Sequence, residues 1–192
     1  ADNPYLALVI IQLIVYALPT VFFCRLRGSG YAKGLRLRLF RANHLLFMLL
    51  ALIAMVAGSA LINLAVFRIF PDSGASTVSS AVQGQDLFFA VIALAVLPAL
   101  TEEFLFRGVV YGNLRPYGRT QAILISSVLF ALMHQNIGQF FYTFVGGVAM
   151  ALMYELTGNI WCSILYHMFN NELAVLTEVL YYGKFGDAVE PL

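Results

Sequence analysis

Charge is what this sequence has least of: 11% of its 192 residues are Asp, Glu, Lys or Arg, against 61% hydrophobic. A soluble domain of this size could not bury so much apolar surface, so the composition excludes that class and implies a polytopic helical membrane protein. Cysteine is nearly absent. Cys24 and Cys162 stand in or beside apolar segments without metal-ligand spacing, which excludes a disulfide framework and a cysteine-built metal centre. No basic region precedes the first apolar run, and that run is too long for a signal-peptide core, so it reads as a spanning helix. Residue 1 is Ala rather than Met, which suggests numbering that starts inside a longer chain or after processing. No second domain and no internal repeat is evident. The chain 1–192 is expected to be one integral membrane domain.

Six spans are expected, at about residues 5–23, 44–67, 86–112, 120–136, 139–156 and 160–182. Pro19 and Pro98 predict bends within the first and third. Ala54 and Gly58 predict a small-residue packing seam on the second, and His44 opens that span at the interface. Arg25, Arg27, Lys33, Arg36, Arg38 and Arg41 follow the first span with no acid among them. By the positive-inside rule that connection is cytoplasmic, as is the turn with Arg115 and Arg119. Six positives so placed serve topology and lipid headgroups rather than nucleic acid. The connection 68–86 lacks a positive bias and reads as external.

Against this background one stretch stands out: Thr101-Glu102-Glu103-Phe104-Leu105-Phe106-Arg107-Gly108, with residues 87–100 apolar throughout apart from Pro98. A charge within a spanning helix costs roughly 3 kcal/mol or more, so it marks a functional site by default. Glu103 and Arg107 are four apart on one helical face with the acid N-terminal, the better orientation for an ion pair. Glu102 points about 100° away and is left available. Two other strongly polar places recur deep in the later spans, His134 and the pair His167 with Asn171. Counting at about 1.5 Å per residue from the turn near 117 puts Glu102 and His134 at nearly one level, ~20 to 25 Å deep, and counting from the turn at 158 puts His167 and Asn171 at ~13 to 20 Å. Each has a bland alternative: a lone His or Asn is common helix glue, and paired carboxylates serve as proton or cation relays. Glu155 and Glu172 read as structural. Together, the matched depths favour one intramembrane site.

Glu102-Glu103-xxx-Arg107, Phe130-xxx-His134 and His167-xxx-Asn171 resemble the three ordered motifs of the CAAX-protease and bacteriocin-processing family, also called the Abi family. These are intramembrane endopeptidases and include the CAAX prenyl endopeptidases. The resemblance covers about 101–171, within a motif-bearing helical core of about 86–182; the first two spans match only as generic membrane helices. It implies an all-α transmembrane bundle, a peptide or membrane-anchored protein substrate within a lipid bilayer, and peptide-bond hydrolysis.

The residues fit that chemistry. Hydrolysis needs an activated water, a proton for the leaving amine and donors for the oxyanion. Glu102 is the expected general base, with His134 sharing and orienting the water. His167 and Asn171 are expected as oxyanion donors, Glu103 and Arg107 as supports, and Phe130 as a shield. No Ser or Cys is placed to act as a nucleophile with either His. The family has been described both as zinc-dependent and as glutamate-dependent without metal. Were zinc present, Glu102, His134 and His167 would be its ligands; lacking His-Glu-x-x-His, the residues favour the metal-free reading. Two rivals are a non-catalytic scaffold or immunity protein of the same fold and a proton-coupled transporter, the latter disfavoured because no inverted repeat is evident. The expected location is the plasma membrane, with the site reached from the cytoplasm.

Overall fold

The structure, a computed structural model, describes residues 4–28, 41–70 and 87–185. Lys33, Arg36 and Arg38, the connection 71–86 and the acidic tail lie outside them. Six helical segments follow in order: α1 (Tyr5–Arg27), α2 (Asn43–Ile69), α3 (Leu87–Tyr117), α4 (Arg119–Leu132), α5 (Ile137–Thr157) and α6 (Ile160–Phe185). No strand occurs among the described residues. The chain is an all-α polytopic bundle.

By length and composition α1, α2, α3 and α5 are fit to cross a membrane, and α4 is a shorter apolar helix. Helix α6 has the length, 26 residues, but His167, Asn170, Asn171 and Glu172 interrupt its apolar run. Helix α3 lies at the centre and packs on α1, α4 and α6, while α2 rests on α5 and α6. Small residues allow the closest approach. A Cβ added to Gly147 would sit 3.1 Å from the Ser127 Cα, so α4 and α5 meet nearly backbone to backbone. The expected seam on α2 does not form: Ala54 is exposed and a Cβ on Gly58 would meet open space. An apolar face with no neighbour at that point gives small residues nothing to approach.

Pro19 and Pro98 each follow a widened turn. Gln12–Ala17 and Ile92–Val96 are π-helical, and the prolines come two residues after them, in the first turn of the next α-helical stretch. Proline removes one N–H and crowds the carbonyl four residues back, and a π turn absorbs that mismatch. A third π segment, Phe104–Tyr111, begins just after Glu103.

The connections α3–α4 and α5–α6 turn as expected, with Gly118 and Gly158 at positive φ. The one between α4 and α5 does not fall where the sequence suggests. Helix α4 stops at Leu132, and His134 lies in the turn after it instead of inside a span to 136. Gln135 makes that turn at φ 52°, a left-handed conformation uncommon for a residue with a side chain. Asn136 then caps α5, its Oδ1 accepting from the Gly138 N–H at 2.8 Å. At one end of the bundle, Glu155 of α5 accepts from Arg115 and Tyr111 of α3 and lies near Arg119 of α4. Arg27 donates to Asn113 at the same end, so the ends of α1, α3 and α5 and the start of α4 share one side.

Candidate active site

A cavity of about 280 Å³ opens between the helices, and Glu102, His134, His167 and Asn171 all line it. They come from α3, the α4–α5 turn and α6. Apolar lining from Leu8, Met55, Leu94 and Val175 surrounds them.

Glu103 faces elsewhere. Its carboxylate is fully buried and holds three donors: Oε1 accepts from Arg107 Nη1 at 2.8 Å and from His167 Nδ1 at 3.0 Å, and Oε2 accepts from Ser163 Oγ. Arg107 in turn donates from Nη2 to the Gly147 carbonyl at 2.9 Å and lies over the Phe130 ring, 4.8 Å from its centroid. Two adjacent acids thus divide their duties as the four-residue spacing predicts, one locked to Arg107 and one facing the cavity.

The tautomers of both histidines follow from their partners. His134 Nδ1 lies 3.0 Å from the Phe130 carbonyl, which can only accept, so Nδ1 carries the hydrogen. In the neutral ring Nε2 then holds the lone pair. His167 Nδ1 donates to Glu103, which leaves its Nε2 in the same condition. This alters the expected role of His167. Its Nε2 can donate to an oxyanion only when the ring carries hydrogens on both nitrogens.

Asn171 is held by the helix opposite. Its Nδ2 donates to the Leu94 carbonyl at 3.2 Å. In an unbroken α-helix that carbonyl would accept from residue 98, but residue 98 is proline and has no N–H. The Leu94 carbonyl fixes the Asn171 amide and leaves its second N–H to donate elsewhere.

Three contributors were not legible in advance. Gln12 of α1 lines the cavity and donates from Nε2 to Glu102 Oε1 at 2.8 Å; Thr101 Oγ1 lies against Gln12 Oε1. Ser163 completes the shell of Glu103. Tyr166 lines the cavity with a buried hydroxyl that has no partner among the described residues. Gln12 alone left a signal, as a single amide in an otherwise apolar run; Ser163 and Tyr166 look like ordinary helix residues.

Among the described residues no three His, Cys, Asp or Glu side chains are grouped as ligands for a metal ion. Glu102, His134 and His167, the set that zinc would require, line one cavity without forming such a group.

Residues 84–173 match the family model described as type II CAAX prenyl endopeptidase Rce1-like. That stretch takes in all three motifs. The Rce1-like segment runs from the start of α3 to just past Asn171 and so contains every predicted site residue, but not Gln12. A protein of Bacillus subtilis (strain 168) named "Putative membrane peptidase YdiL" is 29% identical over 92 residues, 46% of this chain. The match spans 37% of that relative's length. No solved structure matches.

Proposed function

We propose that this protein is an intramembrane endopeptidase that hydrolyses a peptide bond near the C-terminus of a membrane-associated protein, a prenylated CAAX-type tail being the first substrate to test. The observation that carries the reading is the convergence of Glu102, His134, His167 and Asn171 on one cavity within the Rce1-like segment. In this reading a water donates one hydrogen to the Glu102 carboxylate and the other to His134 Nε2, which aims its lone pair at the scissile carbonyl carbon. Glu102 takes the proton as the C–O bond forms, and His167 and the second Asn171 N–H donate to the oxyanion. The C–N bond then breaks as the amine leaves with the proton from Glu102. Glu103 and Arg107 act through His167 and are positioning residues. The absence of a His-Glu-x-x-His pair favours this metal-free scheme over a zinc site, and stoichiometric zinc whose removal abolishes cleavage would overturn that part.

The test is cleavage of a farnesylated CAAX peptide by the full chain in liposomes, beside the unprenylated peptide. Wild type is expected to cleave and Glu102→Gln to be inactive while folding normally. Full biological effect retained by Glu102→Gln would point to the scaffold reading, and pH-driven uptake abolished by it to the transporter.

A further inference from the structure

We propose that Gln12, on a helix outside the Rce1-like segment, is the positioning residue for Glu102: its side-chain amide bonds the carboxylate before proton transfer and, turned over, the carboxylic acid after it. The inference rests on the general-base reading of Glu102 given above. Gln12 is 9% exposed and lines the cavity, and its Nε2 lies 2.8 Å from Glu102 Oε1. Behind it stands Thr101, whose Oγ1 meets Gln12 Oε1 and also lies 2.9 Å from the Leu97 carbonyl.

The hydrogen count gives this chain two complete states. A hydroxyl has one hydrogen to donate and a primary amide has one accepting and one donating end. With Glu102 ionised, Gln12 Nε2 donates to it and Thr101 donates to Gln12 Oε1. When Glu102 has taken the proton from water, it needs an acceptor instead. A half-turn of the amide supplies one: Glu102 donates to Gln12 Oε1, Gln12 Nε2 donates to Thr101 Oγ1, and Thr101 donates to the Leu97 carbonyl. No donor faces a donor in either state, and no buried polar atom of the chain loses its partner. Carboxylate and acid are thereby held in one place through the reaction cycle. Gln12 begins the π segment Gln12–Ala17 of α1, the kind of local irregularity that gathers at functional sites.

Gln12→Met keeps the length and packing of the side chain in an apolar helix while removing both ends of the amide. Two measurements on the full chain in liposomes test the proposal. The first is the infrared carboxylate band of Glu102, identified by its loss in Glu102→Gln; it is expected to shift in Gln12→Met and to shift less in Thr101→Val. The second is cleavage of the farnesylated peptide. Here kcat is expected to fall about 10- to 100-fold in Gln12→Met with KM little changed, because a misaimed base loses rate rather than binding. An unshifted band, or wild-type kcat in Gln12→Met, overturns the proposal. If Glu102→Gln itself still cleaves, the general-base reading fails instead, and the infrared measurement distinguishes that failure from one at Gln12.

Discussion

Glu103 is the residue whose loss the bundle would feel most directly. It is fully buried among Arg107, His167 and Ser163, and removing it leaves a guanidinium stranded with no anion. Breaking a buried pair in this way costs about 3–5 kcal/mol, so Glu103→Ala is expected to express poorly or to aggregate on extraction. Replacing both partners with apolar residues is a different event, because no charge is left behind. Glu103→Leu combined with Arg107→Met is expected to recover much of the monodisperse yield in size-exclusion chromatography. Cleavage should not return with it, since His167 Nδ1 has lost its acceptor. Recovery of both yield and rate would show that Glu103 serves the fold alone.

The elements are coupled by the backbone groups they lend one another. Asn171 of α6 donates to the Leu94 carbonyl of α3, in the turn before Pro98. If Asn171 serves the oxyanion as proposed, Asn171→Ala removes two things, a donor worth about 10²- to 10³-fold in rate and the partner of a carbonyl worth about 1–3 kcal/mol. A second change separates them. In Pro98→Ala with Asn171→Ala, residue 98 regains an N–H for Leu94, so the melting temperature is expected to recover while the cleavage rate stays low. Recovery of neither would place the bond outside the stability of α3 and α6. The α4–α5 crossing carries its own prediction. A Cβ at Gly147 meets the Ser127 Cα at 3.1 Å, and since that atom is backbone, the helices must part. Gly147→Ala is expected to cost about 1–3 kcal/mol by overpacking and to displace the carbonyl that Arg107 bonds. Unfolding in denaturant with unchanged stability would contradict this crossing.

For the whole molecule the open matter is which side of the membrane reaches the cavity. Arg27, Arg115 and Arg119 lie at one end, the end that the positive-inside rule predicts to be cytoplasmic. Helix α4 is 14 residues long, about 20 Å, in a hydrocarbon layer of about 30 Å. His134, in the turn beyond it, therefore lies deep. Cytoplasmic access, the route that charge alone suggests, obliges the scissile segment to penetrate about 20 Å from the basic end. An impermeant thiol reagent applied to each side of oriented vesicles checks this on a background lacking Cys24 and Cys162. Tyr117→Cys is expected to react from the cytoplasmic side, and Asn170→Cys, which lines the cavity, to react from that side only if the cavity is open to it. Labelling of Asn170→Cys from the opposite face alone would rule out cytoplasmic entry.

What the sequence determined by itself is what chemistry dictates locally. Scarce charge in long apolar runs requires helices in lipid, and four-residue spacing dictates that Glu103 meets Arg107 while Glu102 does not. Motif order on separate helices put the four cavity-lining residues on one site before any coordinates. The tertiary structure decided what depends on distant segments. That Gln12 reaches Glu102, 90 positions away, follows from the packing of α1 on α3, which no local pattern encodes. His167 is tied to Glu103 because α3 and α6 cross there, and this fixes which ring nitrogen faces the cavity. The end of α4 was hidden for a local reason: Gln135 turns the chain left-handed where glycine would have announced it.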